Sequence, residues 1–231
     1  MSGFTDIHAH FVYGLDDGAQ TLEDMKAMLD AACADGIAAL FATPHVIPGV
    51  RPFDDALFER HLQAARDYCE EKAYAITLHK GAEIMYTPVL QQYVLERSLP
   101  VMAGTNRILL EFIPQISYGE LEAAVDLLER SGYVTILAHV ERYRCLAAGR
   151  NAYILKQAHD VRYQMNGSSI LEGGFFQTRK VWRWLQDGLI DHIATDAHSC
   201  HRRPSNMTRA YKLLCRRVGE TYADQLTGRS S

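Results

Sequence analysis

Seven short apolar or β-branched runs, each followed by a stretch of helical period, are the feature that most limits how this chain can fold. The runs are Phe4–His8, Ile37–Ala42, Ala75–Ala82, Arg107–Phe112, Tyr133–Ala138, Arg162–Met165 and Ile190–Ala194. Helical stretches are expected from Thr21 to Asp35 and near Asp54–Lys72, Pro88–Leu95, Tyr118–Arg130, Ala152–Ala158, Gln177–Gln186 and Ser205–Arg216. In TLED, Thr21 and Asp24 fit a capping box, and Gly36 fits a terminator. Repeated strand-then-helix units imply a parallel α/β sheet, either closed or doubly wound. At 231 residues the chain suits one such domain. The tail ending TGRSS is expected to fray.

The ends of these runs carry the chemistry. His8 and His10 end the first run and point the same way, because strand side chains alternate with period two. Unpaired imidazoles are costly to bury, so two aimed at one point suggest a metal. Two solvated histidines at a strand end are the competing account. His45 follows the second run, Glu83 the third, and Glu111 lies near the end of the fourth. His139 ends the fifth, and Asp196 and His198 end the seventh. Six of seven runs therefore finish on His, Asp or Glu, while Lys and Arg are left out. In a (β/α) barrel the carboxyl ends of all strands converge on one face, which carries the site. With Asp17 the set has nine donors, five histidines and four carboxylates. Four or five donors satisfy one divalent ion, so nine suit two or three, and the mixed N/O chemistry fits zinc, manganese or iron. Such ions supply hydroxide from water and clamp the oxygens of a phosphoryl or acyl group. Arg142 lies three residues past His139, and Arg203 follows the DAH stretch. A guanidinium fork at either place matches phosphate oxygens. His61, His79, His159 and His192 fall inside helices or strands and are given structural roles, and His201 is left open.

Composition excludes several classes. The five cysteines are scattered with no CxxC pair, which argues against a disulfide framework and a thiolate metal site. A formal charge of -4 with no basic stripe disfavours nucleic acid. No leader-like start or bilayer-length apolar run is present, so no membrane insertion and a cytoplasmic setting are expected.

DIHAHFVYGLDDGA, ATPH, GAEI, LLEF, LAHVERY, NGSS and ATDAHSCHRRP, in that order, resemble the motifs of the polymerase-and-histidinol-phosphatase (PHP) superfamily. LDDGAQTLEDM and DAH…RRP look most like the bacterial tyrosine phosphatases of capsule and exopolysaccharide loci. The resemblance runs from about Asp6 to Pro204. It implies a single PHP-type domain over residues 1–231, built as a distorted seven-stranded (β/α) barrel. It also implies a trinuclear centre, usually of manganese, held by His8, His10, Asp17, His45, Glu83, Glu111, His139, Asp196 and His198. Asp16 would hold the turn, and Arg142 and Arg203 would contact phosphate, with Arg142 also offsetting charge during catalysis. The chain departs from the family at Val140, where Pro is usual, and at Thr195, where Ser is usual. The implied activity is metal-dependent hydrolysis of phosphotyrosine, on the tail of a bacterial tyrosine kinase that controls polysaccharide export. A small-molecule phosphatase such as histidinol-phosphatase is the same-class alternative. A nuclease-like domain is disfavoured by the acidic balance, and a non-catalytic metal scaffold by the complete donor set. A homo-oligomer is compatible with the sequence.

Overall fold

In this computed structural model, which describes residues 3–172 and 175–229, the strand segments are all paired in parallel. They are β1 (Phe4–Ala9), β2 (Ile37–Ala42), β3 (His45–Val46), β4 (Thr77–Lys80), β5 (Glu83–Met85), β6 (Arg107–Glu111), β7 (Val134–Leu137), β8 (Val161–Asn166) and β9 (His192–Ala194). They form a three-stranded sheet in the order β1-β2-β4 and a six-stranded sheet in the order β3-β5-β6-β7-β8-β9. The α/β class with parallel strands is as expected.

Nine segments stand where seven were expected, because β3 and β5 follow the second and third expected runs after short gaps. Ala42 lies opposite Lys80 in β2–β4 and His45 opposite Glu83 in β3–β5, so the register is the same on both sides of the break. Pro44 interrupts the first line, having no N–H to give a ladder. Its carbonyl still accepts the Glu83 N–H at 3.0 Å. Gly81 interrupts the second, at a place where an added Cβ would lie 2.9 Å from Met102 Sδ. The expected run Ala75–Ala82 accordingly shortens to Thr77–Lys80.

The two sheets also meet elsewhere. The Asp196 N–H donates to His8 O and the His10 N–H to Ala197 O, each at 2.9 Å, so the chain just past β9 is stitched to the end of β1. Met102, Leu109, Ile136 and Ala138 form a small apolar cluster with Ile7 and Phe41, which joins side chains of both sheets. Helices cover the outside. Leu22–Ala34 begins as expected: the Asp24 N–H donates to Thr21 Oγ1 at 3.1 Å and the Thr21 N–H to Asp24 Oδ2 at 3.0 Å. Helix Tyr118–Arg130 buries Leu121, Ala124, Val125 and Leu128, a stripe at helical spacing.

The tail does not fray through Arg229, contrary to expectation. Helix Glu220–Thr227 buries Ala223 and Leu226, and Thr5 Oγ1 donates to Gly228 O at 3.3 Å. The Arg229 guanidinium lies over the rings of Phe4 and Tyr211, a cation–π contact that holds the last turn down. A polar, glycine-containing ending conceals this packing in the sequence.

Candidate metal centre

Glu83, fully buried at the start of β5, is the hub of the cluster. Its Oε2 lies 3.1 Å from His8 Nε2, 3.3 Å from His10 Nε2 and 3.0 Å from His45 Nδ1. Its Oε1 is 2.8 Å from His139 Nε2, which in turn is 3.2 Å from Glu111 Oε1. Asp196 Oδ1 sits 3.4 Å from His8 Nε2, 3.6 Å from His10 Nε2 and 3.5 Å from His198 Nδ1. Asp17, largely exposed at the outer edge, lies 3.4 Å from His45 Nε2 and 3.6 Å from His198 Nε2. All nine expected donors thus gather in one place. Two of them, His139 at φ 32° and Asp196 at φ 52°, hold left-handed backbone that non-glycine residues seldom adopt. Such strain concentrates at functional positions.

The hydrogen bonds around His8 and His10 decide what the centre can hold. Asp16 is a carboxylate and only accepts, so His10 Nδ1 donates to its Oδ2 at 2.7 Å. Gln164 Oε1 already accepts the His139 N–H at 2.8 Å, so His8 Nδ1 donates to it at 3.1 Å. With Nδ1 committed in each ring, Nε2 is the atom left for a ligand, and the two Nε2 atoms face each other at 3.1 Å. Facing lone pairs repel unless a cation lies between them. Two imidazoles that share one ion at about 2.1 Å stand roughly 3.0–3.4 Å apart, from right-angle to tetrahedral coordination, so the residues fit a metal. Among the described residues, Glu83 Oε2, Glu111 Oε2 and His198 Nε2 are also buried without a well-aligned hydrogen-bond partner.

Electrostatics agree. Burial alone would discharge these groups, but the hydrogen bonds with Asp16 and Glu83 push His10 up to about 10. Burial likewise opposes charge on His139, yet its bonds with Glu111 and Glu83 push it up to about 9. Glu83 is held well below the carboxylate range in spite of its burial, by the His8 charge and bonds with His10, His139 and His45. The carboxylates therefore demand compensating positive charge, from protons or from metal. Burial, with positive His10 nearby, brings His198 down to about 4 and keeps it a neutral donor at pH 7.

Two arginines reach the same carboxylate. Arg142 Nη2 donates to Asp196 Oδ2 at 3.1 Å, and Arg203 Nη2 donates to that same oxygen. Arg203 therefore reaches the centre as closely as Arg142 does. Their side chains are 40% and 41% exposed, so both guanidiniums can swing toward a ligand. Tyr143 pins the turn that presents Arg142, donating through its hydroxyl to Ala138 O at 2.7 Å while accepting the Phe112 N–H at 3.2 Å. A cleft of about 510 Å³ opens beside the centre, lined by Asp17, Gln20, His198, His201, Arg202 and Arg203.

The supporting groups were mostly missed. Asp16 holds its turn as expected, accepting the Gly18 N–H at 2.9 Å, and also the His45 N–H at 2.9 Å. Asp6 was not foreseen. It accepts the His8 N–H at 3.2 Å, the Thr195 N–H at 3.1 Å and the Thr195 hydroxyl, although its place two residues before His8 puts it on the same strand face. What this position needs is a hydroxyl, so Thr195 serves where Ser is usual. Val140 opens a short helical turn, Val140–Arg142, where the missing N–H of a proline is tolerated. Gln164, Asn166 and Glu141 also went unforeseen. Among the other histidines, His61 stacks on Tyr13, His79 on Phe41, and His159 pairs with Glu129.

Comparison with known proteins gives the lineage. The family described as capsular polysaccharide synthesis, CpsB/CapC, matches residues 4–230. The chain belongs to that family. Family relatives include the tyrosine-protein phosphatase CpsB of Streptococcus agalactiae serotype V, 25% identical over 227 residues, covering 96% of this chain and 93% of that protein. The tyrosine-protein phosphatase YwqE of Bacillus subtilis is 27% identical over 228 residues, covering 96% of this chain and 88% of that protein. A crystal structure from the pair YwqE of Bacillus subtilis and CpsB of Streptococcus pneumoniae, described as unique metal-dependent tyrosine phosphatases, superposes with a TM-score of 0.88. It is 26% identical and covers 97% of this chain and 91% of that one. The resemblance to capsule-locus phosphatases read from the motifs is borne out.

Proposed function

We propose that this chain is a metal-dependent protein-tyrosine phosphatase that hydrolyses phosphotyrosine on the tail of a bacterial tyrosine kinase in polysaccharide export. The observation that carries the reading is the pair of facing Nε2 atoms of His8 and His10 beside buried Glu83, with Arg142 and Arg203 converging at the edge. The family and the tyrosine phosphatases CpsB and YwqE within it support the activity.

The nine donors would hold two or three divalent ions, manganese by family resemblance, with zinc or iron also fitting the N/O set. When bound, the ions polarise the phosphoryl oxygens and acidify water. The protein supplies the rest. Asp16 and Gln164 hold His10 and His8 in the tautomers that keep Nε2 free. Arg142 and Arg203 offset charge growing on the equatorial phosphoryl oxygens. Tyrosine, with a pKa of about 10, leaves with less help from an acid than an alkoxide needs. We read the two sheets as one distorted seven-stranded barrel, counting β2 with β3 and β4 with β5 as single interrupted strands. The shared register across each break and the bonds from Asp196 and His10 to the opposite chain support that count. A kinase tail as substrate sets the enzyme in the cytoplasm, and among the described residues no helix is long and apolar enough to cross a membrane.

The test is steady-state turnover with manganese on a phosphotyrosine peptide and on histidinol phosphate, with His139→Ala as control. Preferential turnover of the peptide, lost in the variant, supports the reading. Preference for histidinol phosphate sinks it.

A further inference from the structure

Of the seven expected runs, Arg162–Met165 is the one that ends on none of the nine donors, and the NGSS stretch after it has no role in the chemistry above. The strand found there, β8, nevertheless ends against the centre. Gln164 and Asn166 lie two residues apart on one strand face, and both are fully buried. Gln164 Oε1 accepts from His8 Nδ1 at 3.1 Å and from the His139 N–H at 2.8 Å. Gln164 Nε2 donates to Asn166 Oδ1 at 2.8 Å, and Asn166 Nδ2 donates to Asp196 Oδ2 at 2.7 Å. The Asn166 N–H is anchored on Glu141 Oε1 at 3.2 Å, an oxygen that also accepts the Ser169 hydroxyl at 2.6 Å.

We propose that Gln164 and Asn166 are positioning residues, an ordered amide relay that sets the metal-binding geometry of His8, His139 and Asp196 from three other strand ends. The order of the relay is forced. Because Gln164 Oε1 is a double acceptor, its nitrogen must face Asn166, whose carbonyl is then engaged and whose nitrogen must face Asp196. One orientation of two amides therefore fixes three donors together. His8 carries its proton on Nδ1 and keeps Nε2 bare, the His139 N–H is held in its left-handed turn, and Asp196 Oδ2 is turned away while Oδ1 faces the histidines. Removing the acceptor at 164 lets His8 place its proton on Nε2, a tautomer that cannot ligate.

The proposal rests on the reading of the cluster as a metal centre, and the experiment separates the two. Manganese(II) affinity of the metal-stripped full chain is measured by competition with a fluorescent chelator, together with the melting temperature of the stripped protein. Gln164→Met fills a similar volume with neither donor nor acceptor, and is expected to weaken manganese binding by about 10–100-fold, the scale for losing the outer partner of a ligating histidine. Gln164→Glu keeps the acceptor for His8 and the His139 N–H and disturbs only Asp196, so its affinity is expected to fall less than that of Gln164→Met. Its kcat should fall, because Asn166 must turn its carbonyl toward Asp196. Asn166→Asp, which sets a carboxylate against Asp196 Oδ2, gives a second arm with at least about tenfold weaker binding expected. Wild-type affinity in Gln164→Met and Asn166→Asp overturns the proposal. So does an equal loss of affinity in Gln164→Met and Gln164→Glu that follows the fall in melting temperature. A wild-type chain that takes up no manganese refutes the metal-centre reading instead.

Discussion

Replacing Arg142 with Ala is expected to leave the protein folded and to damage catalysis. The folded-state cost is small. The Arg142–Asp196 pair spans 3.1 Å on a side chain 40% exposed, and a partly solvated pair of this kind contributes at most about 1 kcal/mol. Asp196 also keeps Arg203 and Asn166 on the same oxygen, so it is not left unpartnered. The catalytic cost is larger, because the guanidinium acts on charge that grows toward the transition state. Removing one such donor costs about 2–4 kcal/mol. At about 1.4 kcal/mol per decade this is roughly a 30- to 1,000-fold fall in kcat/KM, shared between lower kcat and higher KM. Arg142→Lys should restore part of it, since an ammonium cannot make the two-pronged contact. Because Arg203 reaches the same Asp196 oxygen, Arg142→Ala and Arg203→Ala should not be additive, with a coupling on the order of 0.5–3 kcal/mol. The assay is steady-state kinetics on an aryl phosphate and a phosphotyrosine peptide, with metal content measured for each variant. Unchanged kcat and KM in Arg142→Ala at full metal content refute the reasoning and return Arg142 to a solvated loop.

Three other outcomes are expected. Chelation should abolish turnover, while Cys200→Ser, which removes the thiol on the wall of the 510 Å³ cleft, should leave turnover near wild type; the reverse pattern refutes metal dependence. Thr195→Val strips a hydroxyl from buried Asp6 and should lower urea stability by about 1–3 kcal/mol, whereas Thr195→Ser, which keeps the hydroxyl, should cost less. His192 is brought down to about 4, first by burial and then by Arg107, Lys156 and Arg162, with Asp191 opposing them. An unfolded histidine titrates near 6.5, so the unfolded chain takes a proton that the folded chain refuses. Stability should be full above pH 6.5 and fall toward pH 4, by at most about 3 kcal/mol from this residue. His192→Gln should flatten that part of the urea profile, and an unchanged slope refutes the assignment.

The strands were legible because period-two runs and helical stripes both arise from burial, and burial dominates this fold. All seven expected runs carry a strand, and Tyr118–Arg130 appears with its expected ends. Two features escaped for physical reasons. The break at Gly81 is crowded by Met102, from a distant part of the chain, and no local pattern reports that contact. The last helix is held by Arg229 over Phe4 and Tyr211, a contact between opposite ends of the sequence.

The metal-capable residues and the groups that hold them differ in legibility for a different reason. A histidine or carboxylate at a strand end needs an explanation, because burying it without a partner costs several kcal/mol. Repeated at six strand ends, that cost becomes a signal that one sequence can display. Gln164, Asn166, Asp6 and Thr195 raise no such alarm, since amides, hydroxyls and single acids are common near strand ends. Only their partners set them apart, and those partners lie on other strands. The reach of Arg203 is illegible on the same account, because loop position says little of where a long side chain ends, here at Asp196. The left-handed backbone at His139 and Asp196 is the last illegible element. His and Asp tolerate it better than most residues, but only the surrounding bonds select it at these two positions. For His139 one of those bonds is visible, its N–H to Gln164, and for Asp196 another, its N–H to His8 O. The strain thus sits on two of the nine expected donors and is held by a backbone carbonyl and an amide side chain, which is where a site that must hold its geometry before its ions arrive would place it.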